Sequence, residues 1–261
     1  MSPSDVDVSK LKAGDHHYMA YVGPPTHYDF MGATQFRLLC SLGLRAEHKL
    51  LDFGCGSLRA GRFLIAYLNK GHYCGVEPNR WLIEEAIESR LGADFVRLNE
   101  PRFDHNEEFS VAAFGEKFDW IVAQSIFSHT GLDLTRCALR NFADALSDTG
   151  RVVATFVDGP SDHDGDGWIY PGCVTYREPA VAAFAREAGL HATRLPWFHP
   201  RQVWYVLAKR PELLPPPAMK RLLTGIVLFD PELSISARRQ LPGSFAGRVR
   251  RALRELFPKQ D

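Results

Sequence analysis

Apolar positions in this chain come as short unbroken runs set between stretches with helical spacing, a rhythm that predicts strands buried on both faces alternating with surface helices. The clearest case is Lys49 to Leu64, KLLDFGCGSLRAGRFL. Leu50, Leu51 and Phe53 predict a buried strand, Gly54 and Gly56 a sharp turn, and Ser57 to Tyr67 a helix. Further strands are expected at His72–Val76, Phe118–Ala123, Gly150–Phe156, His191–Trp197 and Gln202–Ala208. Helices are expected at Met31–Leu42, Asn79–Leu91, Leu134–Leu146 and Val181–Ala188, with Ser147–Gly150 as a helix stop and turn. Between the second strand and Phe118, two runs compete for one strand, Phe95–Leu98 and Arg102–His105.

A strand, a glycine turn and a helix in that order make a nucleotide-type site, because the helix N-terminal amides face the ligand and the glycines allow close approach. The spacing separates two ligands. A dinucleotide fingerprint wants a small residue three positions after the second glycine, and Arg59 stands there. Asp52, just before the turn, would repel a pyrophosphate but suits the cationic amino or sulfonium group of S-adenosyl-L-methionine (AdoMet).

The motif Asp52-Phe53-Gly54-Cys55-Gly56-Ser57 resembles the first motif of class I AdoMet-dependent methyltransferases, with Leu58 standing where many members carry a third glycine. The resemblance spans roughly residues 43 to 210 and rests on the ordered set of motifs. It implies an α/β, Rossmann-like, seven-stranded sheet, six strands parallel and the seventh antiparallel, with helices on both faces. It also implies AdoMet contacts at Asp52, Gly54, Cys55, Gly56 and Ser57, at Glu77 and Pro78 after the second strand, and at Gln124 and Ser125 after the fourth. In the family, the acid in the position of Glu77 bonds the ribose hydroxyls. Family spacing favours Arg102–His105 as strand three, which puts Asn106 or Glu107 near the adenine, whose edge the Asn106 amide can pair; a plain turn role for Asn106 weighs equally.

Composition narrows the class. With 261 residues, 45% of them hydrophobic, the chain can bury a substantial core. Lys plus Arg and Asp plus Glu are 31 each, so no global field favours a nucleic acid. The polar opening MSPSDVDVSK and the lack of a membrane-length apolar run point to a cytoplasmic protein. The five cysteines are scattered, without metal spacing, and read as reduced thiols. Three parts are expected: an N-terminal lid over residues 1–45, the AdoMet-binding domain over 46–210, and an extension over 211–261. The extension opens with the stiff stretch PELLPPP and carries a basic amphipathic segment, Ser244 to Phe257. That segment suits docking on the domain, a homodimer partner or an anionic membrane surface.

Catalytic and acceptor residues must follow the carboxyl ends of the parallel strands or lie in the lid. His129 is the leading general base, with Asp158 and His199 as further catalytic candidates. Tyr18 and Tyr21 in the lid, His163, Trp168 and Tyr170 after strand five, and Arg201 after strand six are candidates for the acceptor pocket. Asp162, Asp164, Asp166 and Gly167 match the opening of a calcium loop, but Cys173 stands where the bidentate glutamate belongs, so no metal is expected. These features predict methyl transfer from AdoMet to an oxygen or nitrogen of a polar small molecule or glycan-like acceptor. A noncatalytic AdoMet-binding regulatory or assembly protein is the alternative.

Overall fold

The computed structural model describes residues 7–225. Seven strands form one sheet: β1 (Leu50–Phe53), β2 (Tyr73–Val76), β3 (Arg102–Asp104), β4 (Phe118–Ala123), β5 (Leu146–Phe156), β6 (His191–Leu195) and β7 (Val203–Ala208). Their spatial order is β3-β2-β1-β4-β5-β7-β6. β1 to β5 pair in parallel, and β7 runs antiparallel between β5 and β6, so β6 shares the common direction. The expected class I sheet is present. Its order reverses between β1 and β4, the switch point at which open α/β sheets bind ligands beyond their carboxyl ends.

β1, β2 and most of β4 are buried, as continuous apolar strands covered on both faces must be. One face packs under α2 (Tyr28–Leu42), α3 (Gly61–Tyr67) and α4 (Arg80–Ala86), through Leu38, Leu50, Leu64, Leu82 and Trp120. The other packs under α6 (Leu132–Ala145) and α7 (Glu178–Glu187), through Ile121, Phe142, Val152, Val181 and Phe184. The lid adds α1 (Tyr18–Tyr21), and α5 (Ala93–Asn99) precedes β3.

Two stretches bear on the sequence reading. α6 ends at Ala145 and β5 begins at once, but Ser147–Gly150 loop out of it as a bulge: Leu146 pairs with Phe118 and Arg151 with Trp120, so these four residues stand against Asp119 alone. Ser147 Oγ donates to Asp119 Oδ1 and Lys209 Nζ donates to the Leu146 carbonyl, partners from β4 and β7 that local turn chemistry does not reveal. Phe95–Leu98 lies in α5, and β3 takes Arg102–Asp104.

The proline-rich stretch does not lead away from the domain. Arg151 Nε donates to the Leu213 carbonyl, and α8 (Pro217–Lys220) follows, with Lys220 Nζ donating to Thr193 Oγ1 and Leu223 buried. The basic amphipathic segment Ser244–Phe257, with the membrane and dimer contacts expected of it, lies outside the described residues. Among the described residues no helix is long and apolar enough to cross a membrane.

Candidate functional site

Gly54 and Gly56 both adopt positive φ, at +74° and +53°, where a side chain is strained. Space forbids one as well. A Cβ on Gly54 would lie 2.1 Å from Ile126 Cδ1, and one on Gly56 would lie 2.7 Å from Val22 Cγ1 of the lid. Leu58, in the family's third glycine position, also has positive φ, +54°, so the backbone keeps the glycine-like turn while the leucine side chain is buried.

Two acids flank this turn. Gly56 N–H donates to Glu77 Oε2 at 3.1 Å, while Asn79 donates to Glu77 Oε1 through its backbone and its side chain, both at 2.9 Å. Glu77 is therefore fixed at the end of β2 beside the turn that ends β1, and its carboxylate keeps acceptor capacity for a ligand. Asp52 is buried and accepts from Tyr73 Oη at 2.9 Å. Burial pushes its carboxyl up to about 7, with the Tyr73 hydrogen bond and Arg59 opposing and Glu77 reinforcing the shift. Arg59 itself is half-buried and donates to the Val22 carbonyl at 2.8 Å, tying the turn to the lid. Ser57 and Cys55 are packed inside the turn: Tyr28 Oη donates to the Ser57 carbonyl, and Cys55 Sγ would lie 2.8 Å from a Cβ built on Gly75. Pro78 is exposed at the start of the following loop.

Asn106 requires a correction. Its Nδ2 donates to Asp104 Oδ1 and to the Ser110 carbonyl, and its Oδ1 accepts from Glu108 N and Ser110 N. Both amide atoms are spent on their own loop, so Asn106 shapes the loop after β3 and offers no free edge to an adenine.

At the end of β4, Gln124 is buried and Ser125 takes φ +63°, a strained conformation for serine. Ser125 is held by its N–H on Thr155 Oγ1 at 2.7 Å and by Gln202 Nε2 donating to its Oγ at 2.9 Å. His129 follows, with Nδ1 2.7 Å from the Gly172 carbonyl. A carbonyl only accepts, so Nδ1 carries the proton and the lone pair lies on Nε2. Desolvation lowers the His129 pKa, the Gly172 bond partly opposes this, and Arg201 adds to the lowering.

The other catalytic candidates are placed differently. His199 is buried, and its Nδ1 accepts from Arg201 N at 3.2 Å and Gln202 N at 2.9 Å. Its neutral form thus carries the proton on Nε2, which faces the Gln124 amide at 3.4 Å. A donor there calls for Gln124 Oε1, the amide atom otherwise left without a partner. Burial, with Arg59 and Arg201 nearby, drops the His199 pKa to about 3. In this arrangement His199 is neutral and braces Gln124, with its Nδ1 lone pair engaged by two backbone amides. Asp158 is exposed and pairs with Arg194 Nη1 of β6 at 3.1 Å, away from the turn.

Among the acceptor candidates, Tyr18 is buried, with its Oη accepting from Arg90 Nε, and it packs edge-on against Tyr28; it belongs to the lid's core. His163 is turned inward onto Tyr176, its Nε2 buried without a partner. Tyr21, Trp168 and Tyr170 come together. Tyr21 stands edge-on to Trp81 at 5.3 Å and 6.0 Å from Tyr170; His129 lies 5.2 Å from Tyr170 and 5.5 Å from Trp168. Trp168 and Tyr170 are 50% and 39% exposed, so their faces are open to a ligand. Arg201 is exposed, near enough to His129, which both aromatics contact, for its charge to lower the His129 pKa, and among the described residues it has no acidic partner.

The loop carrying the two aromatics is zipped to the start of α6. Gly131 N and Leu132 N donate to the carbonyls of Gly167 and Gly165, while Asp133 N donates to Asp166 Oδ1 and Gly167 N donates back to Asp133 Oδ1. Asp162 is taken by Arg177 through its backbone and guanidinium, and among the described residues no group of acids, histidines or cysteines could hold a metal. The calcium-like spacing therefore serves as a clasp. Residues missed from sequence are those that act across the fold: Val22 and Arg59 on the turn, Tyr73 on Asp52, Trp81 beside Tyr21, and the Gly172 carbonyl on His129. Only the aromatic character of Trp81, four residues after Glu77, was a usable signal.

Residues 51–152 match the model of a methyltransferase domain. No curated protein matches the chain. The fold is similar to that of magnesium protoporphyrin IX methyltransferase from Synechocystis PCC 6803 with bound SAH, at TM-score 0.54 and 12% identity over 71% of this chain and 84% of that one. It is likewise similar to the glycopeptide N-methyltransferase MtfA complexed with S-adenosyl-L-homocysteine (TM-score 0.52, 12% identity, 68% and 89% covered) and to DesVI from Streptomyces venezuelae (TM-score 0.52, 18% identity, 73% and 95% covered).

Proposed function

We propose, from the methyltransferase domain that residues 51–152 form within a class I fold, that this chain transfers a methyl group from AdoMet to an oxygen or nitrogen of a polar small molecule or glycan-like acceptor. One observation carries the donor assignment: Glu77, held by Gly56 N–H and Asn79, stands beside the glycine turn with lone pairs to spare. A carboxylate in that position accepts from both hydroxyls of a ribose, and a phosphate would be repelled by it and by Asp52.

Bound there, AdoMet supplies an electrophilic methyl group on a positively charged sulfur. Glu77 would hold the sugar, Asp52 in its ionised form would place negative charge behind the turn, and Gly54 and Gly56 would let the backbone approach. Val22 and Tyr21 cover the turn from the lid side and exclude water. On the acceptor side, His129 keeps its lone pair on Nε2 by donating Nδ1–H to Gly172, and it is neutral at pH 7 because its pKa is lowered. It would take the proton of an acceptor hydroxyl as the oxygen lone pair bonds to the methyl carbon and the carbon–sulfur bond breaks, leaving S-adenosylhomocysteine, or take a proton from an ammonium first so that the freed nitrogen lone pair can attack. Ser125 and Gln124, fixed by Thr155, Gln202 and His199, line the floor between the two halves.

Calorimetry with AdoMet, S-adenosylhomocysteine (SAH) and NAD tests the donor: the first two are expected to bind and NAD is not. Binding of NAD alone would overturn the reading. Methyl-labelled AdoMet with a panel of hydroxyl and amine acceptors tests the transfer, and tight AdoMet binding without turnover across the panel would favour the noncatalytic alternative.

A further inference from the structure

Two exposed aromatic faces and an unengaged guanidinium on adjoining rigid segments need an explanation, since large apolar side chains left in water on a well-tied loop usually mark a contact surface. Trp168 and Tyr170 are held out by the clasp to α6 and by Ile169 N–H donating to the His129 carbonyl at 2.8 Å. Neither folds back onto the core: Trp168 touches Phe109 and His129, and Tyr170 touches Tyr21 and His129, in each case by ring edges or tilted contacts.

Arg201 sits in the loop between β6 and β7, between two anchored neighbours: His199 against Gln124, and Gln202 on Ser125 Oγ. Its backbone is thereby pinned to the loop that carries His129. Four acids on the neighbouring segments are engaged elsewhere. Asp158 pairs with Arg194, Asp162 with Arg177, Asp166 caps α6, and Asp119 accepts from Lys49 N and Ser147 Oγ at the far end of β4. A planar guanidinium with free donors beside flat aromatic faces recognises a ring that bears a carboxylate or phosphate.

We propose that the acceptor is a ring-bearing acid, its ring against Tyr170 and Trp168, its anionic group on Arg201, and the group to be methylated turned toward His129. The proposal deepens the methyltransferase reading and rests on it. Charge selection and ring stacking then act on the acceptor alone, because Arg201 contributes nothing to the glycine turn or to Glu77.

The test uses the full chain saturated with SAH and titrated with paired probes: 4-hydroxybenzoate against 4-hydroxybenzyl alcohol, glucuronate against glucose, and phenyl phosphate against phenol. Calorimetry and tryptophan fluorescence are the readouts. At least one acid is expected to bind about ten-fold or more tighter than its neutral counterpart, the size of one charge-assisted pair. Arg201→Ala should abolish that preference with SAH affinity unchanged, Arg201→Lys should retain part of it, and Trp168→Phe should remove the fluorescence change. The pair that discriminates separates carboxylate from phosphate and aromatic ring from sugar. Equal binding of acids and neutral partners, no binding of any probe, or an Arg201→Ala variant that keeps the preference would overturn the proposal. Loss of SAH binding in the unmodified chain would instead overturn the methyltransferase reading beneath it.

Discussion

Gly56 N–H donates to Glu77 Oε2 across 3.1 Å, so the turn that follows β1 and the acid that ends β2 hold each other in place. Glu77 therefore anchors the turn, and in the proposed function it also holds the donor's ribose. Glu77→Ala is expected to weaken AdoMet by about 1–3 kcal/mol, the cost of leaving ribose hydroxyls without an acceptor. Isothermal titration beside a thermal melt checks this; a folded variant with unchanged affinity would remove the ribose assignment.

His129 holds its proton on Nδ1 against Gly172, and its pKa is below the usual 6.5. His129→Ala should slow methyl transfer about 100-fold or more with AdoMet saturated. In the unmodified enzyme kcat/KM should climb with pH along a limb below 6.5 and level off by neutrality, since the deprotonated imidazole is the active form. The limb should vanish in the variant. A limb that persists belongs to another group.

Asp52 titrates near 7 in the folded chain, against 3.8 for a free side chain, chiefly because it is buried. A cationic ligand favours its ionised form, so AdoMet binding should release protons near neutrality and tighten as pH rises toward 8. For the chain without ligand the sign is opposite: a raised carboxyl pKa contributes stability below pH 3.8 that is lost as pH rises through about 7. Calorimetry in buffers of different ionisation enthalpy measures the protons. Asp52→Asn should show no such release.

His199 is depressed from 6.5 to about 3, so it stabilises the fold above pH 6.5 and loses that contribution as pH falls toward 3. Between pH 7 and pH 5 this one group should cost about 2 kcal/mol of stability. Urea unfolding at the two pH values reads the difference, and His199→Asn, which cannot charge, should reduce it.

Leu58 is buried at φ +54°. Alanine there keeps the strained backbone and loses the packing, at about 2–5 kcal/mol; glycine loses the same packing but recovers roughly 1–2 kcal/mol of strain. Leu58→Gly should accordingly be more stable than Leu58→Ala, the reverse of the order in a helix interior. Melting temperatures of the two variants decide it.

Residues whose role depends on neighbours in sequence were legible in the chain itself. The run Phe118–Ala123 is β4 to the residue, and the strand, turn and helix around Gly54 sit where their pattern predicts. The helix after the turn starts later than its apolar spacing suggests, at Gly61, because residues 55–60 are consumed by turns through the positive φ angles of Gly56 and Leu58. Roles that depend on distant partners were not legible. Nothing local says that Asn106 is spent on Asp104 and Ser110, that Asp158 answers Arg194, or that His199 accepts from the backbone of its own loop. Ser147–Gly150 has turn composition and loops out as a bulge within β5; that a strand pairs with β4 on both sides of it, at Leu146 and from Arg151 on, is set by β4 and not by the local sequence.

The ends of the segment from Asp158 to Tyr176 meet where Tyr176 N–H donates to the Val157 carbonyl at 2.9 Å, and its middle hangs from α6 through Asp133 and Asp166. Such a segment is a cassette. Homologous inserts that preserve the two aspartates, the closing bond and the Gly172 carbonyl on His129 are expected to fold in its place without disturbing the glycine turn.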